Sequence, residues 1–127
     1  MVISLPLYIE IGIKKKKKYY LNLNGYRNWA FILSNNLKKK YTDIVLPLLK
    51  DIDNLDRIKL IYTIYYPTQR NFDVDNIGAI SGKFFQDTLT KSGKIKDDNY
   101  KYIPEITYKV GGIDRVHPRV EVEIIKY

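Results

Sequence analysis

The sequence predicts an α+β protein: a single domain with a mixed β-sheet and two helices on one face, in the order β-β-α-β-α-β-β. Three observations predict it. Residues 57–66, RIKLIYTIYY, are dense in β-branched and aromatic side chains and stop at Pro67, as a strand does. Apolar residues recur at helical spacing in two separate segments on either side of that strand. A chain of 127 residues fits one compact domain and leaves little room for a second, so the domain is taken as residues 1–127.

The elements follow in order. Residues 2–13 alternate in part, at Leu7, Ile9, Ile11 and Ile13, and Tyr19, Leu21 and Leu23 alternate again. Residues 1–24 therefore read as a β-hairpin. Its tip is the unbroken run Lys14, Lys15, Lys16, Lys17 and Lys18, which resists burial. Asn24-Gly25 reads as a strand-to-helix turn. From Asn28 to about Leu49 a helix is expected, with Trp29, Ile32, Leu33, Leu37, Tyr41, Ile44, Val45 and Leu48 on its apolar face. Trp29 reads as a core anchor. Lys38, Lys39 and Lys40 make the other side basic, Ser34-Asn35-Asn36 is a weak spot, and Pro47 ends or kinks the helix.

After a polar loop at Asp51–Asp56 comes the strand 57–66, and Thr68–Phe72 form a loop. A second helix is expected from about Asp75 to about Thr90, burying Ile77, Ile80, Phe84, Phe85 and Leu89, with Ser92-Gly93 as its breaker. Residues 94–99 form a tight turn. Residues 102–110 and 118–126 read as two further strands, joined by Gly111-Gly112 and a short loop.

Composition narrows the function. Twenty-two Lys and Arg face 14 Asp and Glu, for a formal charge of +8, which favours nucleic acid or an anionic membrane as partner. The absence of Cys removes disulfides, thiolate catalysis and cysteine-ligated zinc, and it suits a reducing cytoplasm. The apolar N-terminus lacks the positive region of a signal peptide. No apolar run approaches the roughly 20 residues of a transmembrane helix, and of the two partners the charge allows, nucleic acid is expected and a membrane is not.

Against this positive background the acids gather at two places, Asp73/Asp75 and Asp97/Asp98. In extended backbone, side chains at i and i+2 share a face, so Asp73 and Asp75 can aim at one point. Magnesium takes oxygen ligands, keeps several waters and binds one or two carboxylates beside substrate phosphates. Two acids from one loop and one from a second suit that arrangement, and lysine around them suits a polyanionic substrate. Plainer readings stand beside it: Asp73 or Asp75 as an N-cap, Asp97-Asp98 as turn chemistry. His117, the only histidine, reads as a surface or packing residue rather than a general base.

The ordered set Asp73-Val-Asp75-Asn76, a helix ending in Asp87-Thr-Leu89, a Gly-containing turn and then Asp97-Asp98 resembles the RusA family of Holliday junction resolvases, which are mostly phage-borne. The resemblance covers roughly residues 60–125. It implies a homodimeric, magnesium-dependent endonuclease, with manganese as the alternative ion, that nicks two strands of a four-way DNA junction during recombination and repair in a bacterial host cell. It places the metal on Asp73, Asp75 and Asp98, with Asp97 adjacent and Asp87 capping or packing.

The family's catalytic lysine position is Ala79 here. Lys83, one turn further on, is the substitute, rotated about 80° and displaced about 12 Å along the axis relative to Asp75. Lys94, Lys96 or a partner subunit's lysine are the alternatives. Arg70 lies near a basic position of the family and is expected to contact phosphate. Lys14–Lys18 and Lys38–Lys40 would hold the junction arms through phosphates. Ala79 also motivates a second reading, a DNA-binding protein without nuclease activity.

Overall fold

A computed structural model describes residues 1–127. In chain order it contains β1 (Val2–Pro6), β2 (Tyr8–Ile11), β3 (Lys17–Tyr20), α1 (Leu23–Asn28), α2 (Phe31–Val45), a 3-10 turn at Leu46–Leu49, β4 (Ile58–Tyr66), α3 (Val74–Lys91), β5 (Glu105–Ile113) and β6 (Arg119–Lys126). The protein is α+β. Four strands form a mixed sheet in the order β1-β6-β4-β5, and β2 and β3 form a separate two-stranded sheet.

Strand periodicity decides which face is covered. Ile58, Leu60, Tyr62 and Ile64 of β4 are buried, and the residues between them are half-exposed. Val120, Val122 and Ile124 of β6 and Ile3 and Leu5 of β1 extend that buried face. Helix α3 packs on it with Ile77, Ile80, Phe84, Phe85 and Leu89 all buried, the set that helical spacing predicts. Leu37, Tyr41 and Val45 of α2 join the same core. The edge of Phe84 meets the rings of Tyr26, Trp29 and Tyr41, so the expected anchoring role of Trp29 holds.

Three expectations are corrected. Residues 2–13 are two strands in different sheets, not one arm of a hairpin. β1 pairs antiparallel with β6, Val2 opposite Glu123, and the chain turns after Pro6 to form β2, which pairs with β3. Pro6 has no N–H to donate, which a sheet-edge strand such as β1 tolerates.

The helix expected from Asn28 starts three residues later, at Phe31, and an unexpected short helix, α1, precedes it. Asn22 caps α1, its Oδ1 accepting from the Gly25 N–H at 2.7 Å, so Asn24-Gly25 lies inside a helix rather than in a turn. Trp29 is extended, and α2 begins at Phe31. That restart resets the phase: Ile32, Ile44 and Leu48 are exposed, while Leu37, Tyr41 and Val45 are buried. The helix runs unbroken through Ser34-Asn35-Asn36, and Pro47 converts its last turn to 3-10 geometry, as a missing N–H requires.

Finally, Gly111-Gly112 lie inside β5 rather than in the link between the last two strands, and those strands are not neighbours in the sheet. β4 lies between them, parallel to β5 and antiparallel to β6. A parallel pair needs a crossover, and α3 supplies it.

Candidate functional site

The crossover positions the acids. The loop after β4 delivers Asp73 to the N-cap of α3, at φ −89° and ψ 128°, but its side chain makes no capping hydrogen bond. Asp75 lies in the first turn, where the helix dipole favours a carboxylate. The i and i+2 relation of extended backbone therefore does not apply, because Asp75 is already helical. Both residues are exposed, and neither joins any of the chain's salt bridges, Lys59–Glu105, Arg119–Asp114 and Arg119–Glu121. Asn76 holds this end in place: its Oδ1 accepts from the Leu23 N–H at 2.8 Å and ties the start of α1 to the start of α3. Burial, and after it the nearby Asp75 carboxylate, push the Tyr108 hydroxyl above its ordinary range.

The second acidic pair sits at the other end of the same helix. Asp98 lines a cleft with Lys38, Tyr41, Thr42, Asp87 and Lys91. Burial at this end pushes the Asp98 carboxyl upward, and Asp97 and Asp87 add to the shift. Asp97 shapes the turn, its two oxygens accepting from the Asp98 N–H at 2.7 Å and from the Asn99 amide at 2.9 Å. Asp87 neither caps nor packs: it is exposed in the cleft beside Asp98.

Asp73, Asp75 and Asp98 therefore do not converge within one chain, and no group of three possible ligands does. The cause is the length of α3. From Asp75 to Asp87 the axis advances about 18 Å, far beyond the reach of a shared ion. Asp73 and Asp75 alone could supply the one or two carboxylates that magnesium takes beside waters and substrate phosphate. An ion that also needs Asp98 does not fit a single chain. Lys83 is exposed on α3 about 12 Å along the axis from Asp75, and Ala79 lies between them.

The basic clusters have distinct surroundings. Lys14–Lys18 are exposed; the Lys18 ammonium lies 4.8 Å from the Tyr8 ring centroid and that of Lys17 5.2 Å from Tyr19. Lys39 and Lys40 of α2 line a groove with Ile11, the last residue of β2, so the hairpin and the basic side of α2 form adjoining surfaces. Lys38 turns the other way, toward Lys91 and the Asp98 cleft. Arg70 is exposed and lines a separate groove with Tyr20 and Tyr66. His117 lies in the β5–β6 loop and donates its backbone N–H to Asp114.

Sequence reading missed Asn76 as a brace, Asp87 as the neighbour of Asp98, and the aromatic groove at Arg70. The first two carry a signal, since both are polar residues on a helix whose apolar stripe is already assigned. The groove carries none, because hairpin and β4 are far apart in sequence. No helix is long and apolar enough to cross a membrane. Compared with known proteins, the chain matches no family model and no curated relative.

Proposed function

We propose that the protein binds branched DNA as a homodimer and cuts it with magnesium or manganese, resolving four-way junctions. The observation that carries this reading is the exposed, uncapped and unpaired Asp73/Asp75 pair in a chain of charge +8. A divalent ion there would polarise a phosphodiester and activate water. The chain's own contribution is to hold two carboxylates on a helix end braced by Asn76, with Arg70 nearby in sequence to take phosphate.

With Asp98 at the far end of α3, a metal site that included it would need a second copy of the chain. Two copies with their α3 helices antiparallel would set Asp75 of one beside Asp87 and Asp98 of the other. The same pairing would bring a second-copy Lys83 toward Ala79, where a lysine is lacking. Lys14–Lys18, Lys39 and Lys40 would hold the arms through phosphates. The test is nicking of a synthetic four-way junction with magnesium; equal cutting by Asp75→Asn defeats the assignment. The second reading, binding without hydrolysis, is favoured by Ala79, and junction binding in calcium with no product in magnesium or manganese would establish it.

A further inference from the structure

We propose that the groove between the hairpin and the end of β4 holds an unpaired nucleotide of single-stranded DNA, stacking its base against tyrosine and pairing its phosphate with Arg70. The inference rests on the nucleic-acid reading above and adds a contact that phosphate-only binding does not require.

Tyr20 and Tyr66 line the groove, and they are the middle two rings of an aromatic ladder that continues to Tyr8 and Phe72. Tyr8 and Tyr20 face each other across β2 and β3, with ring centroids 5.3 Å apart. Tyr20 lies 6.2 Å from Tyr66, and Tyr66 stacks on Phe72 at 4.7 Å and 24°. All four are only partly buried, packed against the rim of the core rather than inside it. Tyrosine presents a large flat surface with only two side-chain torsions to immobilise, so such a ladder loses little entropy when a base joins it.

The polar groups beside the ladder suit a nucleotide. Asn22 uses its oxygen to cap α1, which leaves its amide N–H groups to donate. Thr68 Oγ1 accepts from the Arg70 N–H at 3.3 Å and fixes the loop that carries the guanidinium. Arg70 is exposed and joins no salt bridge in the chain. The space they enclose with Tyr20, Tyr66 and Pro67 is about 540 Å³, within the range of small-ligand clefts. Lys18 over Tyr8 supplies a cation at the far end of the ladder, so aromatic surface is flanked by positive charge on both sides. Interleaved aromatics and cations are the chemistry of single-strand binding, whereas bases in a duplex are stacked on each other and offer no free face.

The test uses the full-length protein in calcium, so that no strand is cut. Fluorescence anisotropy compares a duplex carrying a short thymidine gap with the same duplex fully paired. The gapped duplex is expected to bind about 5- to 150-fold tighter, the span of one stacked base. Tyr66→Leu and Tyr20→Leu, which keep apolar volume, should remove most of that preference and leave the paired duplex unaffected. Arg70→Gln, at an exposed site that does not support the core, should weaken it too and serves if the tyrosine variants fail to fold. Equal affinity for the two duplexes, or an undiminished preference in Arg70→Gln, overturns the inference. Displacement of the gapped duplex by thymidine monophosphate at equal nucleotide concentration overturns the assignment to a strand. A protein that binds both duplexes equally but with steep salt dependence keeps the nucleic-acid reading and loses the groove; one that binds neither loses both.

Discussion

Gly78 of α3 lies flat against the ring of Tyr108 on β5: a Cβ placed at 78 would fall 2.6 Å from the ring. One turn on, a Cβ at Gly82 would stand 3.5 Å from the Tyr108 hydroxyl. The two glycines open a channel along which the tyrosine lies, with Tyr62 behind it at 5.6 Å between centroids. This contact sets the distance of the Asp75 end of α3 from the sheet. Gly78→Ala is expected to destabilise the fold by about 1–3 kcal/mol, the usual cost of overpacking. Denaturant unfolding of Gly78→Ala, Tyr108→Leu and the double variant would check it. The double variant should recover most of the loss caused by the alanine; strict additivity would show that the ring does not oppose the new methyl.

The separation of the acids makes a sharp prediction for a dimeric nuclease. Asp75→Asn and Asp98→Asn should each lower junction nicking by more than about 100-fold, since even changes in the outer shell of a metal site reach that size. Mixed after joint refolding, the two inactive variants should regain activity, because one of the two sites in a heterodimer would then be intact. Chelating the divalent ion should abolish that regained activity. Failure of complementation, with both homodimers folded, would overturn a site shared between the two copies.

Lysine substitution should act on affinity without touching sequence preference. Replacing Lys14–Lys18 with glutamine removes five exposed charges from the hairpin tip. The slope of log affinity against log salt should then shrink by about one unit for each phosphate that the tip no longer neutralises. The weakening should be uniform across DNA sequences. An unchanged slope would show that the tip lies outside the interface.

These relationships were legible to different degrees, for physical reasons. The stripe Ile77, Ile80, Phe84, Phe85 and Leu89 is a local pattern, so α3 and its breaker at Ser92-Gly93 could be read directly. The pairing of Val2 with Glu123 and the placement of β4 between β5 and β6 depend on contacts across the chain, which local periodicity does not encode. The short helix Leu23–Asn28 was not legible, because its start is set by the Asn22 cap rather than by an apolar stripe, and Trp29, extended at its end, moves the start of the long helix to Phe31. The acid clusters were visible as clusters, but their convergence was expected without regard to the rise of the helix between them. An uninterrupted helix holds its ends apart, and a loop would have been needed to fold them together.

The β5–β6 loop offers a prediction about acid stability. Arg119 lies 4.0 Å from the Tyr65 ring centroid, donates to Glu121 and Asp114 at 2.8 Å each, and reaches the His117 carbonyl at 2.9 Å. Asp114 in turn accepts from the backbone N–H groups of His117 at 2.9 Å and Val116 at 3.2 Å. All these bonds favour the ionised carboxylate. The His117 N–H, followed by the Arg119 guanidinium, holds the Asp114 carboxyl below its ordinary range. A group depressed on folding contributes stability above its unfolded pKa and loses that contribution as pH falls through the folded value. The loss should therefore begin near pH 4 and continue below it. Asp114→Asn should be less stable than the parent at neutral pH and should show a shallower decline on the acid side, so that the two melting curves approach one another as pH falls. Parallel pH profiles would mean that Asp114 titrates alike in the folded and unfolded chains and that Arg119 is ordered by Glu121 and Tyr65 alone.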